Sequence, residues 1–217
     1  MRPRVIYCYD AYCGWCYGFS PVINELWVKN RNRFEFETIS GGMIPPEATK
    51  HISSIAGFIQ GAYKNVEELT GIKFGSDYLW HVFNPDKSDW FPCSEMPAIA
   101  MAIFREYHPD RTIEFACDLQ YALHYEGRDL TDREAYRHLL HKYEIDVDEF
   151  FEKLTNHKYK EAAAYDVALT QQLKVNGFPT TFIQVSETKL YMISRGFSNL
   201  ETIEKRIDAI LEETKNG

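Results

Sequence analysis

A pair of cysteines set between two different hydrophobic patterns constrains this chain more than any other feature. Residues Arg4–Tyr9 form a short run rich in β-formers that breaks at Asp10. From Cys13 onward the period changes. Trp15, Phe19, Val22, Ile23, Leu26 and Trp27 recur at helical spacing, which predicts a helix over about 14–29. Cys13-Gly14-Trp15-Cys16 therefore stands where a strand gives way to a helix. At such a junction the first sulfur meets the unpaired N–H groups and positive end of the helix, which favour a thiolate. The second sulfur lies one turn further in, within bridging reach and more buried. The arrangement suits thiol–disulfide exchange, with Cys13 attacking a substrate disulfide and Cys16 resolving the mixed disulfide.

The elements on either side make a symmetrical order. Phe34–Ile39 alternates as a second strand, and Gly41-Gly42 and Pro45-Pro46 then break regular structure. Strand, helix and strand make a parallel crossover unit. Pro21 falls inside the helix, where a lost hydrogen bond predicts a kink. The middle reads as mostly helical. Pro97–Tyr107 carries Ile99, Ile103 and Phe104 on one face, and Thr131-Asp132-Arg133-Glu134 is a capping box opening a helix through Lys142. Asp146 and Glu149 open another through Leu154, and the Gly, Pro and aromatic punctuation between Thr70 and Pro92 predicts irregular structure. Tyr159–Val175 reads as a helix stopped by Gly177. Thr180–Val185 and Lys189–Ser194 read as a hairpin, and Ser198-Asn199-Leu200-Glu201 opens a last helix through Ile203, Ile207, Ile210 and Leu211. The order is βαβ, a helical block, then αββα. A block of that length is an inserted subdomain and not a loop. We therefore expect an α/β domain from residues 1–45 and 158–217, with 46–157 inserted as a helical subdomain.

Composition narrows the partners. The 217 residues carry a formal net charge of -8 and no basic run, which argues against nucleic acid. No stretch reaches the roughly 18 apolar residues that a membrane span needs. The apolar run at the N-terminus is cut by Asp10 and is too short for a signal peptide, so the expected compartment is the cytoplasm. Five cysteines, an odd number, do not suit a secreted disulfide framework. Zinc is the rival reading of the pair, but zinc takes four ligands and Cys93 and Cys117 belong to no spaced pair. Metal binding by His124, His138 and His141 would need an acidic or thiol partner, and they read as surface histidines. No metal or other cofactor is expected. Cys8 and Cys117 read as buried, inert thiols, whereas Cys93 sits in a loop that could expose a third redox thiol.

A second signature, Gly177-Phe178-Pro179-Thr180-Thr181-Phe182, lies between the late helix and the hairpin. A cis bond before Pro179 would turn the Phe178 carbonyl and N–H outward to pair with an extended substrate. Together with the Cys pair and the long insertion, this segment resembles the DsbA-like branch of the thioredoxin superfamily. It is most similar to bacterial proteins described as predicted disulfide isomerases, which carry Asp-x-x-Cys-x-Trp-Cys and a Ser-Glu-x-Pro-like segment. Asp10 and Ser94-Glu95-Met96-Pro97 match those features.

The resemblance implies a thioredoxin-like fold, Cys13 as nucleophile, Cys16 as resolving thiol, and Pro179 as the cis-proline facing them. Tyr12, Gly14, Trp15, Phe178 and Thr180 become candidate substrate-binding residues, with Tyr17 also on the rim around an exposed Cys13 sulfur. Trp90 to Glu95 is a candidate opposite wall, its two aromatics more suited to the core, with Ser94 capping the next helix. Two features depart from the pattern. The buried acid that thioredoxin and DsbA place six residues before the first cysteine is Tyr7 here, and Gly14-Trp15 matches neither of their dipeptides. Asp10 is then either a proton relay to Cys16 or a turn or cap residue. The expected function is a disulfide oxidoreductase or isomerase acting on protein or glutathione-like thiols and disulfides, as a monomer or homodimer. The alternatives are a DsbA-like adaptor or redox-sensing binding module, and a glutathione-dependent isomerase. Relatives of the last kind generally carry Ser where Cys13 stands.

Overall fold

The computed structural model describes residues 2–216. β1 (Arg4–Tyr9), α1 (Gly14–Asn30) and β2 (Glu35–Ser40) open the chain, and β1 pairs with β2 in parallel, Tyr9 opposite Ser40. The helical block follows as α2 (Ser53–Thr70), α3 (Ser76–Phe83), α4 (Glu95–Tyr107), α5 (Thr112–His124), α6 (Arg137–Lys142) and α7 (Val147–Leu154). The chain ends with α8 (His157–Gln172), β3 (Thr180–Gln184), β4 (Leu190–Arg195) and α9 (Leu200–Asn216). The sheet runs β2-β1-β3-β4, with β3 antiparallel to both neighbours. This is the expected α/β architecture, a mixed sheet carrying a large helical insertion.

The strand period of two sorts β1 between two cores. Val5, Tyr7 and Tyr9 face the main core with Phe19, Ile23 and Leu26 of α1 and Ile203 and Ile207 of α9. Ile6 and Cys8 face the other way, joining Ile39 and Phe182 under Leu169 of α8 and Leu173 just past its end. The main core continues without a break into the helical block, where Phe104 of α4 stacks on Phe115 of α5 at 4.0 Å. A partly buried ion pair fastens the block to the sheet. Arg105 of α4 meets Asp166 of α8 at 2.8 Å and donates to the Thr38 carbonyl at 2.7 Å, while Asp166 accepts from Ser40 N–H at 3.2 Å.

Several local expectations shift. Residues 76–83 are helical because Tyr78 and Val82 supply a buried apolar face at helical spacing. Pro85 only begins a short 3-10 turn after α3. Asp132, not Thr131, accepts from Glu134 N–H, and the chain passes through a 3-10 turn before α6. Asn199, one residue past Ser198, takes the Thr202 N–H at the start of α9. α8 ends at Gln172, short of Gly177, because the chain turns at Lys174, whose φ is 55°. α4 begins at Glu95, with Pro97 in its first turn, where no N–H is required. α1 is continuous through the exposed Pro21. Trp90 is buried and stacks on His81 at 3.9 Å, whereas Phe91 is exposed.

Candidate active site

β1 ends at Tyr9, and a three-residue turn carries the chain to the N-terminus of α1. Cys13 is the cap of that helix. Its N–H donates to the Asp10 carbonyl at 3.1 Å, which closes the turn, and its sulfur accepts the Cys16 N–H at 3.4 Å. The Cys13 thiol also reaches the Phe178 carbonyl at 3.5 Å. The sulfur is not exposed as the sequence suggested: Cys13 is 7% accessible, and Cys16, one turn deeper, is fully buried. Both are free thiols. Burial pushes the Cys16 thiol well above its usual range, and the neighbouring Cys13 adds to that shift.

Asp10 sits under this turn, 2% exposed. One carboxylate oxygen accepts from Tyr12 N–H at 2.9 Å and from the Ser94 hydroxyl at 3.0 Å, and the other accepts from Met43 N–H at 2.7 Å. Burial raises its pKa, and these hydrogen bonds oppose the rise. The Ser94 hydroxyl in turn accepts Ile44 N–H at 3.0 Å and makes no capping bond to α4, so the expected capping role is replaced by a tie between loops. Gln120 of α5 donates to the Asp10 carbonyl at 3.2 Å.

The second signature closes over the first. The Phe178–Pro179 bond is cis. The Phe178 ring lies against Gly41 so closely that a Cβ there would stand 2.1 Å from the ring. Gly41 is thus a site residue that sequence patterning classed only as a breaker. Pro179 is buried, and Thr180 is buried with its hydroxyl turned back to the Gly177 carbonyl at 2.7 Å, outside the cleft.

A cleft of about 540 Å³ opens beside Cys13. Tyr12, Gly14, Trp15 and Phe178 line it, and α2 contributes Ile55 and Ile59, which no motif marked. Tyr17 is not on this rim. It is 2% exposed, donates to the Lys73 carbonyl at 2.8 Å and stacks on His124 at 4.9 Å. His124 is itself fully buried, so it is not the surface histidine the sequence suggested. Its Nδ1 donates to the Gln120 carbonyl at 3.0 Å, and burial lowers its pKa to about 4. Among the described residues no group of three or more His, Cys, Asp or Glu could hold a metal ion. Cys8 is buried, but Cys117, expected to be buried, is half-buried like Cys93; desolvation by the surrounding protein raises both Cys8 and Cys117 to about 12. No described helix is long and apolar enough to cross a membrane.

A thiol pair at a helix N-terminus, facing a cis-proline loop on a four-stranded sheet, defines a recognisable class. The sequence matches the family of the DSBA-like thioredoxin domain over residues 4–208. The chain belongs to that family. No curated protein matches the sequence. The fold is similar to the "putative protein disulfide isomerase" of Nitrosomonas europaea, with a TM-score of 0.82 at 20% identity over 98% of this chain and 99% of that one. It is also similar to the cytosolic disulfide reductase DsbM of Pseudomonas aeruginosa, with a TM-score of 0.76 at 21% identity over 96% and 98% of the two chains. The same reductase in its form with GSH gives 0.73 at 24% identity over 96% and 99%.

Proposed function

We propose that this DsbA-like protein is a thiol–disulfide oxidoreductase that works by dithiol–disulfide exchange at Cys13 and Cys16, in the cytoplasm. The Cys13 sulfur, acting as thiolate, attacks one sulfur of a substrate disulfide, forming a mixed disulfide and releasing the other half as a thiolate. Cys16 loses its proton, attacks the Cys13 sulfur and expels the second half. The substrate gains two electrons, and the protein is left with a Cys13–Cys16 disulfide until a thiol reductant restores it. The single observation that carries this reading is the placement of the Cys13 sulfur, between the Cys16 N–H at 3.4 Å and the Phe178 carbonyl at 3.5 Å, on the wall of an open cleft.

The roles divide by burial. Cys13 borders the cleft and is the nucleophile, and Cys16 is enclosed and is the resolving thiol, held protonated by its surroundings until the mixed disulfide forms. Phe178 and Pro179 form the face across which the substrate lies. Asp10 we assign to positioning, because three donors already fill its carboxylate. Cys13→Ser should abolish reduction of insulin and of a glutathione mixed disulfide. Cys16→Ser should still attack the substrate through Cys13 and should accumulate the mixed disulfide, visible as an added mass. Unchanged turnover by Cys13→Ser overturns the proposal. The odd cysteine count and the likeness to a cytosolic reductase support the compartment.

A further inference from the structure

The cleft beside Cys13 is deep and carries no charge. Its mouth is apolar, with Phe58 and Met43 exposed and Trp15 and Ile59 half-buried, and its floor is Phe74, Tyr78, Trp90 and Leu123, none more than 8% exposed. No Lys, Arg, His, Asp or Glu is among the described residues that line it, and its polar side chains are neutral. An ionised carboxylate or ammonium entering this space would lose hydration with no opposite charge to replace it. Glutathione carries groups of both kinds. The volume of about 540 Å³ falls within the roughly 300–1,000 Å³ typical of small-molecule pockets. The cleft is open at its mouth, but its floor belongs to the core of the helical block, so a compact apolar group can seat there more fully than an extended peptide lying across the mouth.

We infer that the group transferred to Cys13 is an uncharged, mainly apolar organic thiol, such as an aryl or arylalkyl thiol, delivered as its disulfide. The inference rests on the exchange reading above. Cys13 attacks the sulfur attached to the apolar group, the S–S bond breaks, and the other half leaves as a thiolate while the apolar group occupies the cleft. Cys16 then displaces it as a thiolate, and both electrons come from the protein's own thiol pair.

Single-turnover reduction by the pre-reduced full chain tests this without an added reductant. Two disulfides that share a 2-hydroxyethyl half are compared, one with a benzyl half and one with a glutathionyl half. Each rate is divided by that of free dithiothreitol with the same compound. The benzyl compound should react about tenfold or more faster, the scale expected for an unpaired buried charge. In Cys16→Ser the trapped adduct should be the benzylthio group. Ile59→Lys, or Ile55→Lys should the first fold poorly, should cut the preference about tenfold by admitting a cation. Equal rates, or a faster glutathionyl compound, overturn the inference and leave the exchange reading standing. Insulin reacting faster than the benzyl compound on the same scale also overturns it, in favour of a peptide. If none of the three reacts at Cys13, the exchange reading itself fails.

Discussion

The Ser94 hydroxyl donates to Asp10 across 3.0 Å and, through the same oxygen, accepts the Ile44 N–H at 3.0 Å. Three segments far apart in sequence meet at this point: the turn that carries Cys13, the loop after β2, and the start of α4. Ser94 is 3% exposed and Asp10 2%, so water cannot substitute for either partner.

Ser94→Ala should therefore cost stability. It leaves the half-buried Ile44 N–H without this acceptor and removes one of the three donors to the buried Asp10, a loss of about 1–3 kcal/mol. For a chain of this size that lowers the melting temperature by roughly 2–4 °C per kcal/mol. Calorimetry of the reduced protein checks it. An unchanged melting temperature would show the tie to be idle.

His124 should govern part of the acid sensitivity. Its folded pKa of about 4 lies below the roughly 6.5 of an unfolded histidine, so the unfolded chain takes up the proton first as pH falls. The contribution to stability is present above about pH 6.5 and is lost as pH falls toward 4. The loss amounts to about 2 kcal/mol by pH 5. In His124→Leu this slope between pH 7 and pH 5 should disappear, even where the variant is less stable throughout. Urea midpoints at the two pH values give the comparison, and an identical slope in both proteins would remove His124 from the account.

The five thiols should separate by reactivity. Burial holds Cys8 and Cys117 near 12 and Cys16 well above its usual range, so at pH 8 their thiolate populations are negligible. Iodoacetamide on the native, reduced protein should modify Cys13, which borders the cleft, and the half-buried Cys93, and should leave the other three intact until the chain is denatured. Peptide mass mapping reads the result. Rapid native labelling of Cys8 would contradict its burial, and rapid labelling of the half-buried Cys117 would contradict its raised pKa.

Much of this molecule is local and so was legible in the sequence. The step from a period of two in Arg4–Tyr9 to a helical period after Cys13 gives β1, α1 and the position of the Cys pair between them. The late helix, hairpin and last helix follow from the same periodicity, to within a few residues at their ends. Those ends moved where a neighbouring side chain was the better cap, as at Asp132 and Asn199, or where the backbone turned early, as at Lys174. α3 escaped because Gly, Pro and aromatic residues suggest loops when their burial is unknown.

The sequence by itself determined the element order, the thiol pair and its place at the start of a helix, because those depend on neighbours a few residues apart. Only the tertiary structure decided what surrounds the sulfur. Burial of Cys13, the approach of the Phe178 carbonyl, the fit of the Phe178 ring on Gly41 and the tie from Asp10 to Ser94 all join residues that lie far apart along the chain. So does the uncharged floor of the cleft, drawn from α2, α3, α5 and the loops around them. Such contacts follow from how the helical block packs on the sheet, a choice made by the whole core at once and written in no single stretch of residues.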